Sequence, residues 1–224
     1  MCILIPIQME IQTFQGSGCE CNSYLIKDRI WLLVDVGTGK NFEGLKRFMS
    51  QDGGIDKVKK ILMTHTHFDH AGGAARMKEL TRAEILVHPL EGRRISSGDM
   101  TVAKACFFDE SIRKFEWSPM GEGDTIDTGS AKFKVMHIPG HSEGSIGLWE
   151  EESRSIISGD TVFADGGIGR YDLPSGSLTE LRESIERLSA MGARNLYPGH
   201  GRTVLGRGSE HLSMSLEMIR SGLL

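Results

Sequence analysis

The sequence is short of cysteine: Cys2, Cys19, Cys21 and Cys106 are the only four among 224 residues. That is too few for a disulfide scaffold, and Cys19 and Cys21 are too close together for an easy mutual bridge. No apolar run approaches the ~18 residues needed to span a bilayer. The amino-terminal stretch is interrupted by Pro6, Gln8 and Glu10 and carries no basic segment, so no export signal is expected. Reduced thiols in a cytoplasm follow as the default. Positive charge is also scarce, with 26 Lys and Arg against 30 Asp and Glu and a net charge of −4. General nucleic-acid binders and polybasic membrane-surface proteins show the opposite balance, so neither partner is expected. Linker-like runs, low-complexity tracts and short-period repeats are missing, and the expectation is a single domain over residues 1–224.

What the chain has in excess is glycine, 28 of 224 residues against a usual share of roughly 7%. Between the glycines, short strand-like and helix-like segments alternate. β-branched and aromatic residues predict strands over 3–14 and 23–34, the latter turning at Lys27-Asp28-Arg29. Helical spacing of Phe42, Leu45, Phe48 and Met49 predicts a helix over 41–50, and 58–63 reads as a buried strand. A helix over 69–80 and a strand over 84–87 follow; residues 91–123 are mixed. Strands are expected at 131–137, 145–149, 155–158 and 196–197. Ser177 and Glu180 form a capping box for a helix over 177–188, with Gly192 as its stop, and a last helix covers 209–219. The pattern implies an α/β fold of two sheets covered by helices.

Chemistry concentrates in Thr64-His65-Thr66-His67-Phe68-Asp69-His70, just after a predicted strand. On a strand end, His65 and His67 point the same way because side chains alternate. Asp69 and His70 then open a helix, where a carboxylate can cap free N–H groups, and Gly72 and Gly73 remove bulk behind the cluster. Three histidines and an aspartate in this spacing point to a metal site rather than to isolated core histidines. Further candidates follow predicted strands in glycine-containing turns: His141, Asp160 and His200. Five imidazoles and two carboxylates without a thiolate suit borderline dications such as zinc, iron or manganese. A closed structural zinc site would need four ligands and would usually use cysteine.

With these residues in this order, the sequence resembles the metallo-β-lactamase-fold hydrolases, and within them the glyoxalase II (hydroxyacylglutathione hydrolase) group. The segments Gly159-Asp160-Thr161-Val162-Phe163, Gly169-Arg170-Tyr171-Asp172-Leu173-Pro174 and Tyr197-Pro198-Gly199-His200-Gly201 are similar to that branch in particular. The resemblance implies a four-layer αββα sandwich of two mixed sheets flanked by helices. It implies two divalent metal ions, zinc first with iron or manganese as alternatives. His65, His67 and His141 would hold one, Asp69, His70 and His200 the other, and Asp160 would bridge. A water held by both ions would have a pKa of roughly 7 or below, supplying hydroxide. Asp69 would orient it, as the catalytic carboxylate.

No spare Glu, Lys or His inside a motif offers itself as general acid. A thiolate, with a thiol pKa of ~8.5, leaves without one, so a small-molecule thioester fits better than an amide. Long glyoxalase II enzymes add a basic C-terminal helical segment. Here the 24 residues after His200 suffice for one helix with Arg202, Arg207 and Arg220, so another thiol carrier than glutathione is open. Arg170 and Asp172 are candidates for holding substrate, or a surface ion pair. Asp35 is a candidate for orienting a ligand histidine, or a turn former; His137 is expected behind the ligands or in the core, and His88 and His211 to be structural or exposed. Gly166-Gly167-Ile168-Gly169 lacks the setting of a phosphate loop and reads as a substrate-side loop. A single-iron persulfide dioxygenase-like oxidoreductase on the same fold, using His65, His141 and Asp160, and a lactone or other ester hydrolase are the alternatives. The chain is expected to be a monomer or homodimer.

Overall fold

The computed structural model describes residues 9–101 and 111–222. Two sheets account for its strands. The first has six strands in the order β1 (Glu10–Phe14), β2 (Ser23–Lys27), β3 (Trp31–Val34), β4 (Val58–Leu62), β5 (Glu84–Val87) and β6 (Ser118–Pro119). The first three are antiparallel and the rest parallel, so the sheet is mixed. The second sheet runs from β11 (Asn195–Pro198) through β10 (Ser155–Gly159), β9 (Ile146–Glu150) and β8 (Lys132–His137) to β7 (Thr125–Asp127). Only its β10–β11 pair is parallel. Of the expected strand over 3–14, residues 10–14 are observed; residues 1–8, Cys2 among them, lie outside the described residues, as does Cys106.

Period-two alternation sorts side chains into three apolar layers. From β2 and β3, Leu25 and Leu33 face the helices α1 (Phe42–Ser50) and α3 (Ala74–Thr81), packing on Leu45, Met49 and Met77. Their neighbours Tyr24, Ile26, Leu32 and Val34 face the other sheet and meet Phe133, Val135, Leu148 and Ile157. The far face of that sheet, with Met136, Trp149 and Ile156, packs on α5 (Leu178–Ala190) and α6 (Gly208–Ser221) through Leu181, Ile185, Leu188, Leu212 and Ile219. Helix, sheet, sheet, helix is the four-layer αββα arrangement expected. The predicted capping box is present on its Ser177 side: Ser177 Oγ accepts from Glu180 N at 3.3 Å.

The expected helix over 69–80 is two helices, α2 (Phe68–Ala71) and α3, parted at Gly72-Gly73. The cause is tertiary. Gly73 N donates to Gly37 O at 3.0 Å instead of continuing the helical ladder, and a Cβ on Gly72 would lie 2.6 Å from Thr38 O. The glycine pair therefore admits the 36–39 loop, not the metal cluster as the sequence suggested. Running into the start of the mixed region is α4 (Pro89–Ser97), with Pro89 in its first turn and Gly98 as a left-handed stop at φ 81°.

Candidate metal centre

The C-terminal ends of β4, β8, β10 and β11 lie along one edge of the two sheets, and the loops that follow them carry every predicted donor. His65, His67, Asp69 and His70 come from the loop after β4 and from α2; His141 follows β8 through Pro139-Gly140; Asp160 follows β10; His200 follows β11. Two backbone hydrogen bonds knit these loops together: Ile146 N to Thr64 O at 2.8 Å, and Gly199 N to Gly159 O at 2.8 Å. Gly199 is required here, because a Cβ on it would collide with Asp160 Oδ1 and lie 2.9 Å from His70 Cε1.

The donors converge. His67 Nδ1 stands 3.1 Å from His65 Nε2 and 2.9 Å from His141 Nε2. Asp69 Oδ2 is 3.1 Å from His200 Nε2 and 3.8 Å from His70 Nε2. Asp160 lies between the two groups, with Oδ1 3.2 Å from His70 Nε2 and Oδ2 3.4 Å from His200 Nε2 and 3.6 Å from His141 Nε2. The sets His65-His67-His141 and Asp69-His70-His200 each present ligand atoms within 4.8 Å of one another, close enough to hold a metal ion. All seven except His200 are buried.

Groups behind the donors fix which nitrogen faces inward. His141 Nδ1–H donates to the Arg170 carbonyl at 2.7 Å, leaving Nε2 to face the cluster. His70 Nδ1–H donates to Asp35 Oδ2 at 2.9 Å. Thr64 Oγ1 donates to the same oxygen at 2.7 Å and receives His65 Nδ1–H at 3.1 Å. One buried carboxylate thus meets Nδ1 of His70 directly and Nδ1 of His65 through Thr64. The sequence did not mark Thr64 or the Arg170 carbonyl, since neither belongs to a residue type that reads as a ligand's support.

Burial first, and neighbouring imidazoles next, hold His65 well below its ordinary pKa and His67 at about 3. Burial likewise lowers His141 against the pull of Asp160. These three are neutral, with lone pairs available to a cation. Burial also opposes charge on His70 and His200, but neighbouring groups outweigh it. Cys21 first, then Asp160, Asp35 and Asp69, raise His70 well above its ordinary value, and Asp160 and Asp69 raise His200 to about 9. The Cys21 thiol beside His70 is pushed up by burial to about 12, so it stays protonated.

Several expectations are redirected. Asp69 caps no helix: Oδ2 faces His200 and Oδ1 is buried without a hydrogen bond. His137 sits away from the donors, stacked on His88 at 4.4 Å with its Nε2 on Glu143 O at 2.8 Å. Arg170 and Asp172 form an exposed two-bond pair at 3.0 and 2.8 Å. Arg170 lines the open cleft of about 300 Å³ in front of the donors, together with Cys19, Phe163, Ile168 and Leu173; Asp172 does not. His211 is buried on α6 and accepts from Asp165 N at 2.9 Å.

The donor set fits a cation. His67 Nε2, His70 Nε2, Asp69 Oδ1 and Asp160 Oδ1 are buried without hydrogen bonds, and the nitrogens of His65 and His141 crowd within 3.1 and 2.9 Å of His67 Nδ1. Such an arrangement is costly unless a positive ion fills it. A family model for the metallo-beta-lactamase superfamily matches residues 16–200. The chain belongs to the metallo-beta-lactamase superfamily. Its relatives there include a probable metallo-hydrolase of Methanocaldococcus jannaschii, 34% identical over 85% of this chain and 92% of the other. An acyl-coenzyme A thioesterase of Gallus gallus is 29% identical over 84% of this chain and 75% of its own. A hydroxyacylglutathione hydrolase of Rhodospirillum rubrum is 33% identical over 64% of this chain, which spans 48% of that relative. A protein of this superfamily's fold solved in a di-iron-bound form superposes with a TM-score of 0.73 at 29% identity, over 92% of this chain and 96% of that one. The chain is a superfamily hydrolase whose His and Asp groups are able to bind metal ions. No helix among the described residues is long and apolar enough to cross a membrane.

Proposed function

We propose that this hydrolase cleaves a small-molecule thioester, turning an S-acyl thiol into an acid and a thiol. The observation that carries the reading is the cleft. Phe163, Ile168 and Leu173 give it an apolar wall, and its titratable side chains other than Cys19 and Arg170 are Asp69, His141, Asp160 and His200, all members of the donor set. Among the described residues, no lysine, glutamate or tyrosine lines the cleft to protonate a leaving group. A thiolate departs without that help because its conjugate acid has a pKa of ~8.5; an amine does not. The thioesterase and hydroxyacylglutathione hydrolase relatives support the same substrate class.

In this reading His65, His67 and His141 would hold one divalent cation and Asp69, His70 and His200 a second, with Asp160 placed to serve both. The di-iron relative supports a pair; zinc is the first candidate, with iron or manganese as alternatives. Bound there, the cations supply Lewis acidity and lower the pKa of a water to about 7. The chain's own groups do the rest. Asp69, with Oδ1 unpartnered, accepts the hydrogen bond that orients the attacking water. The apolar wall holds the acyl group and keeps bulk water from it. Arg170, at the rim, is the cation that an anionic end of the thiol carrier would meet.

The test is metal quantification coupled to a panel of thioesters, lactones and phosphodiesters. Two cations per chain and thioester cleavage are expected, with cleavage abolished in His67→Ala and Asp69→Ala while circular dichroism is unchanged. Full activity in either variant overturns the reading. One iron per chain with oxygen consumption establishes the dioxygenase alternative instead.

A further inference from the structure

Glu91 lies outside the donor set, and nothing above uses it. It is a carboxylate with 0% exposure on the first turn of α4. Among the described residues no cation forms an ion pair with it. Its partners are hydrogen-bond donors: Thr66 Oγ1 on Oε2, and Ser142 Oγ at 2.6 Å and Gly144 N at 3.3 Å on Oε1. Burying a carboxylate is costly, and three donors plus the positive end of a nine-residue helix offset that cost here.

The identity of the donors is informative. Thr66 stands between His65 and His67, in the loop from the first sheet. Ser142 follows His141, in the loop from the second. Glu91 therefore bridges the two loops whose histidines come within 2.9 Å of each other. Keeping His67 Nδ1 and His141 Nε2 this close, on loops from two different sheets, requires that the loops be held by something other than the histidines themselves. We propose that Glu91 is the positioning residue of the His65-His67-His141 half of the centre, bracing both loops so that the cation meets a preformed site. The inference rests on the reading that these three histidines hold a cation.

The experiment titrates metal-free protein with cobalt, read by its visible d–d absorption and by competition with a chelator. The wild-type chain binds two cations. Glu91→Ala weakens one of them by roughly 10–100-fold, the range for loss of a group that orients ligands, and leaves the other unchanged. Glu91→Gln keeps near-wild-type affinity, because its amide oxygen accepts from Ser142 and Gly144 while its NH₂ donates to the Thr66 hydroxyl. Ser142→Ala removes one arm, weakens the same cation to a smaller degree, and serves where Glu91→Ala does not fold. Wild-type affinity for both cations in folded Glu91→Ala, or in Ser142→Ala where Glu91→Ala does not fold, overturns the proposal, as does Gln behaving like Ala. A wild-type chain that takes up no cobalt overturns the metal reading itself, and the inference with it.

Discussion

Asp35 adopts φ 56°, in the left-handed region that costs a non-glycine residue about 1–2 kcal/mol. The turn that imposes this conformation is also what aims its carboxylate at Thr64 N, Thr64 Oγ1 and His70 Nδ1, at 2.7–2.9 Å. Asp35→Ala is expected to lower metal affinity or kcat by ~10–100-fold, since His65 and His70 lose the group that fixes their tautomers. Metal quantification and steady-state kinetics check this. At the residue scale the seven residues that the structure brings together were each singled out in the sequence, because clustered His and Asp in metal-ligand spacing stand out by residue type. Asp35 was legible as one of two alternatives. Glu91 and Thr64 were not, since their roles follow from what they touch.

His88 caps α4 by accepting from Leu90 N at 3.4 Å through Nδ1, a role only the neutral ring can play. Burial first, and the stacked His137 next, against a weaker opposing pull from Glu143, hold its pKa at about 4, below the ordinary 6.5. The unfolded chain therefore takes up a proton near pH 6.5 that the folded chain refuses until about 4. The folded state loses stability as pH falls through this window and has it in full above the window. His88→Asn keeps a cap and removes the titration, so its melting temperature is expected to fall less than the wild type's between pH 7 and pH 4. Thermal melts of both proteins across that range decide it. Helices α1 and α5 were legible because their buried residues recur at helical spacing. Helix α4 went unseen in a region lacking a clear period, although Pro89 and Gly98 mark its ends. The break between α2 and α3 could not be read locally, because it is made by a hydrogen bond to Gly37 O.

Whole-molecule cohesion rests on the layer between the sheets. Phe133 is 1% exposed there, packed among residues of both sheets. Phe133→Ala is expected to cost ~3–5 kcal/mol in denaturant unfolding, more than a truncation under one helix alone, because the cavity lies where both sheets meet. Asp28 ties the sheets at their other end, accepting from Thr128 Oγ1 at 2.8 Å and Ser130 N at 2.7 Å. The α/β class and the superfamily resemblance were legible from alternating strand and helix patterns and from the order of the histidines and aspartates. Those are properties of residue type and spacing, which a sequence carries in full. The hydrogen bond that splits a helix, and the contacts that Asp35 and Glu91 make with the histidine loops, were decided only by the fold. They depend on distances between remote segments, such as Asn22 Nδ2 donating at 2.9 Å to Gly201 O, 179 residues further along the chain, and no local pattern encodes such a distance.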